Sequence, residues 1–293
     1  MKELKQQRFT GERALFGSRD LVVRDCLFED GESPLKESAD LKLYGTMFRW
    51  KYPLWYCTDV LAEDCVWYDM ARAGVWYSDR VTVQGAVIQA PKNFRRCRDL
   101  TLRRVTLTNA QETLWSCTGV VLDSVTAKGD YFAMNSTDLD VTGLTLDGNY
   151  GFDGCKRVVI RNSALLTKDA FWNCEDVTVY DSFISGEYFG WNSRNVRLVN
   201  CTVESLQGLC YIDGLVMENC RLLNTTLAFE YSTVKAEVRS VIDSVFNPAG
   251  GRIEAEGIRE LILEDGIVNP DRTEIVCGDI GKVSDRPEWK RDA

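Results

Sequence analysis

The 293-residue chain contains no histidine. That absence excludes Ser-His-Asp and Cys-His nucleophile systems and His-ligated zinc or haem. No side chain is left with an unperturbed pKa near neutrality. Any proton transfer falls to carboxylates, Lys, Arg, Tyr or Cys. Long apolar runs are also missing, and none approaches the roughly 20 residues of a membrane span. The start, Met1-Lys2-Glu3-Leu4-Lys5-Gln6-Gln7-Arg8, is polar and no apolar segment follows it. It therefore reads as lacking a secretory signal, which points to a cytoplasmic location, although a secreted mature form would look the same. Basic charge is in deficit, with 35 Lys and Arg against 44 Asp and Glu and a net charge of −9. Without a basic patch there is no counterion release to drive nucleic-acid binding, and an anionic membrane is a poor partner. There is no Cys-x-x-Cys pair, the spacing that zinc ribbons and thioredoxin-like sites use. No metal and no cofactor is expected.

What is present is 45% hydrophobic and 27% charged, the profile of a folded globular chain. It also contains a repeat. Taking Ser18, Ser38, Cys57, Ser78, Cys97, Cys117, Ser136, Cys155, Cys174, Ser193 and Ile212 as anchors, the spacing is 19–21 residues. Three and five residues after every anchor the side chain is apolar, as in Leu21 and Val23, Leu100 and Leu102, or Val177 and Val179. Ten after the anchor comes another apolar column, with Phe28, Phe48, Trp67, Ile88 and Leu107. Alternation with period two predicts strands. Seven after the anchor, Asp, Asn or Gly recurs, the residues that tolerate left-handed corners. No repeat holds the ten or more residues of 3.6 periodicity that a helix needs. Each repeat thus reads as three short strands and three corners.

Such a unit cannot bury its own apolar face, but stacked copies can. The reading is an all-β parallel β-helix of 11 or more coils. It forms one domain over 1–293, with an N-terminal cap over 1–14, coils over 15–269 and a C-terminal cap or tail over 270–293. The rival is a leucine-rich-repeat solenoid, because Cys97-x-x-Leu100-x-Leu102-x-x-Val105-x-Leu107 fits that signature. The rest of each repeat, however, offers a third strand and no convex-side helix.

Nine of the 11 cysteines fall in two repeat columns, where Ser replaces them freely. Stacked core filler accounts for that better than disulfides or ligands. Trp55, Trp76, Trp115, Trp172 and Trp191 share the column two before the anchor. If the apolar column ahead of it points inward, alternation turns these rings outward as a stacking platform for sugars or a protein. If the corner reverses the parity, they pack inside. Five and six before the anchor lies a polar strip that includes Arg72, Glu112, Asp130, Tyr150, Asp169, Glu187 and Tyr188. Equivalent carboxylates on neighbouring coils would lie about 5 Å apart, near the separation of a retaining glycosidase. Glu112 with Asp130, and Asp169 with Glu187, are such pairs. The plain alternative is a solvated charged face.

Tyr52-Pro53-Leu54-Trp55, Asp169-Ala170-Phe171-Trp172, Glu187-Tyr188-Phe189-Gly190-Trp191 and Leu227-Ala228-Phe229-Glu230-Tyr231-Ser232 carry a resemblance. Over about residues 10–280, the chain resembles an uncharacterised bacterial family that bears only a domain-of-unknown-function label. The resemblance implies a right-handed parallel β-helix of the pectin-lyase-like superfamily, which includes carbohydrate-active enzymes. It assigns no catalytic residue. The polygalacturonase site is not present, since the chain has no Asp-Asp dipeptide and no histidine. Where the family pattern often has His after the ladder Trp, Tyr56, Ser116 and Asn173 stand here.

Two functions follow as expectations. One is carbohydrate recognition or processing on the aromatic and carboxylate face. As an enzyme it would be a carboxylate-based glycoside hydrolase or lyase, with Asp169, Glu187, Glu112, Asp130 and Arg72 as catalytic candidates. Trp55, Trp76, Trp115, Trp172, Trp191, Tyr150 and Tyr188 would then bind substrate. The other is a non-enzymatic scaffold that offers the same face to a protein partner. Oligomeric state stays open.

Overall fold

The computed structural model describes residues 2–287. The chain divides into two compact units, 1–148 and 149–293. In the first, eight strands from Lys2–Lys5 to Thr137–Thr142 pair in chain order, every pair parallel. A second ladder of two- and three-residue strands runs from Arg8–Phe9 to Thr145–Asp147. The third side is the pair Leu54–Trp55 and Val75–Trp76, continued by single bridges from Trp76 to Arg95 and from Arg95 to Trp115. In the second unit seven strands from Lys156–Arg161 to Thr273–Cys277 stack the same way. The protein is a parallel β-helix. Among the described residues the single helical element is a 3-10 turn at Pro270–Arg272, so the leucine-rich-repeat alternative lacks its convex side. None of these residues forms a helix long and apolar enough to cross a membrane.

The registers explain the repeat. Val81 pairs with Leu100 and Val83 with Leu102, so the anchor-plus-three and plus-five columns stack on themselves inside each unit. Serine and cysteine interchange at the anchor because they make the same bond. The Ser78 hydroxyl donates to the Leu54 carbonyl at 2.9 Å, and the Cys97 and Cys117 thiols donate to Val75 and Phe94 carbonyls at 3.3 and 3.2 Å. All 11 cysteines are free thiols, and ten are buried. Burial pushes the Cys57 and Cys65 thiols up to about 12, which makes them inert.

The corner seven after the anchor is left-handed, with φ +48° at Asp181, +55° at Asn200 and +50° at Asn219. Their side chains bond from turn to turn, the Asn200 amide to Asp181 and the Asn219 amide to Asn200, both at 2.9 Å. A second left-handed column stands two after the anchor, at Asp20, Asp40, Asp59 and Asp99 among others. The sequence reading had passed over it.

The ends differ from the expected caps. Lys2–Lys5 and Arg8–Phe9 are already strands of the ladders, and Thr273–Cys277 and Ile280–Ser284 pair with Gly250–Ile262. Turns therefore extend beyond 15–269. At the front the signature is blurred because Lys2 occupies the column of Leu21. At the back the period changes, since Ile253 pairs with Ile275 across 22 positions. The outermost residues, 288–293, lie outside the described ones.

Candidate functional site

The tryptophan column points outward. Leu54, Val75, Leu114 and Phe171 ahead of it are buried, while Trp55, Trp76, Trp115, Trp172 and Trp191 are half-buried. In the first unit the indole N–H groups donate to backbone carbonyls one turn on: Trp55 to Ala73 at 2.6 Å, Trp76 to Lys92 at 2.7 Å and Trp115 to Tyr131 at 2.6 Å. These bonds lay the rings against the wall. Trp55 and Trp76 stack at 5.1 Å and 5°, and beside them Tyr56 and Tyr77 stack at 4.9 Å. Arg95 takes the next place, its guanidinium 4.6 Å from the Trp76 ring centre and 4.5 Å from that of Trp115. The strip thus spends its ring faces on itself.

Arg95 also meets the Glu112 carboxylate at 3.4 Å, and Lys92 meets the same group at 3.2 Å. Glu112 and Asp130 do lie on successive turns, joined by the Glu112 N–H to the Asp130 carbonyl at 3.0 Å. Glu112, however, is held by two cations, while Asp130 and Arg72 are exposed. Removing the guanidinium with Arg95→Ala is expected to cost about 1–2 kcal/mol, the worth of a cation–π contact made twice in part-buried surroundings. It should also change the near-ultraviolet circular dichroism of the strip. An unchanged urea midpoint would discard the ladder as a stabilising element.

The second unit is arranged differently. Trp172 and Trp191 do not stack on each other. Trp172 leans on Tyr150 at 5.7 Å, Tyr188 meets Trp191 edge-on at 5.9 Å, and Trp191 stacks on Tyr211 at 4.2 Å. Between them opens a pocket of about 410 Å³ lined by Tyr150, Lys168, Asp169, Trp172, Tyr188, Trp191 and Gln207. Five of these seven are residues that the repeat columns had singled out as site candidates. Asp169 and Glu187 sit on successive turns, the Asp169 N–H donating to the Glu187 carbonyl at 2.8 Å.

The two carboxylates have different surroundings. Glu187 is ion-paired with Lys168 at 3.2 Å, and Lys168 lies 5.1 Å over the Tyr188 ring. That pairing raises the Lys168 pKa above its ordinary value. Asp169 is 6% exposed, and no hydrogen bond reaches its carboxylate among the described residues. Burial, resisted by Lys168 and reinforced by Asp153 and Glu187, raises it from 3.8 to about 6. It is the kind of perturbed group that marks functional sites.

Two neighbours had escaped the sequence reading. Gln207 lines the pocket, and its amide donates to Glu230 at 3.0 Å. Glu230 is 7% exposed, and with Asp169 it makes up the charged members of the buried set among the described residues. It occupies the tryptophan column, two before Ser232. That column also holds Lys36, Arg95 and Asp153, so its position alone gave no signal. The described residues contain no cluster of three or more Cys, Asp or Glu arranged to hold a metal ion.

The chain belongs to DUF3737, a family of proteins of unknown function whose model matches residues 2–276. No curated protein matches it. Among solved structures it is similar to a tailspike protein of E. coli bacteriophage HK620, crystallised with a pentasaccharide. Identity there is 10%, coverage is 97% of this chain and 70% of that one, and the TM-score is 0.37. It is also similar to the A-module of the mannuronan C-5 epimerase AlgE4 of Azotobacter vinelandii, at 10% identity, 97% and 87% coverage and TM-score 0.28. The surface adhesin PfbA of Streptococcus pneumoniae matches at 9% identity, 91% and 71% coverage and TM-score 0.33.

Proposed function

We propose that the pocket of the second unit recognises a carbohydrate and that Asp169 is its acid–base group. One observation carries the reading: aromatic rings that are not stacked in a closed column surround a single buried carboxylate with no hydrogen-bond partner among the described residues. Small-molecule sites pair an apolar, aromatic lining with a few placed polar groups in this way. Apolar ring faces suit the C–H faces of a sugar, while Asp169, Gln207 and Lys168 suit its hydroxyls. Titrating at about 6, Asp169 can hold a proton near neutrality and give it to a leaving oxygen. Glu187, tied to Lys168, is then the charged partner of the pair. Eleven free thiols suit a reducing compartment.

The test is a glycan panel titrated by calorimetry and tryptophan fluorescence, using wild type, Trp172→Ala, Asp169→Asn and Glu187→Gln. A bound glycan is expected to lose about tenfold or more in affinity with Trp172→Ala, the scale of one aromatic contact. Any turnover should disappear with Asp169→Asn. A panel without a single response sinks the proposal. The scaffold reading draws on the first unit, where ring faces are mutually covered and Tyr56 is 48% exposed. It places a protein partner on that strip and no sugar there.

A further inference from the structure

The charges that act on Asp169 are unbalanced, one ammonium at Lys168 against the carboxylates of Asp153 and Glu187. Lys168 is the pocket's one cation, and that charge is already matched by Glu187 at 3.2 Å. Asp153 and Asp169 remain, both close enough for Asp153 to act on the Asp169 carboxyl. Asp153 accepts from the Asn173 amide at 3.3 Å. Asp169 is more than nine-tenths buried and lines the pocket without a hydrogen-bond partner among the described residues. Leaving a buried carboxylate unpaired is costly, and it is tolerated where a ligand completes it. Around it stand Tyr150, Trp172, Tyr188 and Trp191. Aromatic rings attract cations to their faces through their quadrupoles, and sites lined by several of them take ammonium groups.

We infer that the pocket selects a ligand bearing a protonated amine, an amino sugar with Asp169 as its counter-ion and the rings of Tyr150, Trp172 and Trp191 around it. This rests on the carbohydrate reading for the sugar part only; the ammonium part stands on the pocket's own charge and rings. The groups that act on Asp169 are Lys168, Asp153 and Glu187, with Tyr150, Tyr188 and Cys210 close by. Asp169 itself titrates at about 6. Affinity for an amine should therefore fall as pH drops through about 6 and the counter-ion is neutralised. It should fall again at high pH as the amine loses its proton.

The experiment is calorimetric titration of the full chain with four probes: a glucosamine tetramer, its N-acetylated counterpart, a glucose tetramer of the same linkage, and tetramethylammonium. The expected result is a preference of about tenfold or more for the free-amine tetramer over the other two saccharides, the difference between a charge-assisted and a neutral contact. Asp169→Asn should cut the ratio of free-amine to neutral tetramer affinity to about twofold or less. Equal affinity for the three tetramers overturns the amine inference and leaves the carbohydrate reading standing. Tetramethylammonium binding without any saccharide binding does the reverse. A preference that survives Asp169→Asn overturns the counter-ion, and with it the inference.

Discussion

Trp67→Ala is expected to cost about 3–5 kcal/mol of stability, the price of emptying a buried aromatic site. Trp67 is 0% exposed and ends an internal column in which Phe9, Phe28, Phe48 and Trp67 follow one another at 4.8, 5.1 and 5.1 Å. Its indole N–H is buried with no hydrogen-bond partner among the described residues. An orphaned donor of this kind carries a penalty of about 1–3 kcal/mol. Trp67→Phe removes the donor and continues the phenylalanine column, at the expense of some volume. The two terms oppose each other, so that variant should lie within about 1 kcal/mol of wild type. Urea denaturation of both variants checks the pair of values. If Trp67→Phe cost as much as Trp67→Ala, the N–H would have to contribute favourably, against the geometry.

Asp169→Asn should stabilise the protein at neutral and higher pH, with the gain fading as pH falls below about 6. A carboxyl raised from 3.8 to about 6 is one whose ionised form the fold disfavours. At 1.36 kcal/mol per pH unit the penalty reaches about 3 kcal/mol as an upper figure. The sign follows from linkage. Above about pH 6 the native carboxyl is charged and the penalty is full. As pH falls from about 6 toward 3.8 the native form takes up its proton before the unfolded chain does, and the penalty disappears. The carboxylate lines an open pocket and solvent screens its charge, so the variant, neutral throughout, should exceed wild type by about 1–2 kcal/mol at pH 8 and match it near pH 4. Thermal melts across that range decide the matter. A gain that does not change with pH would show that Asp169 is not an uncompensated buried charge. A site that stores instability in this way trades it for chemistry or binding.

The sequence made the parallel β-helix legible for a physical reason. Strand alternation, the Ser/Cys anchor and the Asx corner are each enforced once per turn, so a weak local signal is repeated until it stands out. The same regularity hid the ends, where Lys2 replaces a core residue and where Pro270–Arg272 interrupts the spacing. It also hid the second left-handed corner, because Arg80 and Arg157 stand there beside the aspartates. The site was half legible. Columns placed Asp169, Glu187, Tyr150, Tyr188, Trp172 and Trp191 on one face. They did not show that Glu112 would be captured by Lys92 and Arg95, or that the first unit's rings would close upon one another. Those outcomes depend on rotamers and on which charges happen to be neighbours, and spacing carries neither. Gln207 and Glu230 were lost for a related reason: Gln207 is a neutral member of the polar strip, and Glu230 stands in a column that mixes tryptophan with Lys36, Arg95 and Asp153, so neither stood out.

The in-register ladders also restrict how this gene can change length. Val81 lies on Leu100 and Val83 on Leu102, so a deletion of one residue within a strand would turn the following apolar side chains to the outside. Removing a whole turn would instead bring each core column back onto itself. Insertions and deletions are thus counted in turns, except at the corners, where an added loop disturbs no register. A lineage carrying this fold is free to lengthen by duplication and to vary its corners, and nearly fixed in between.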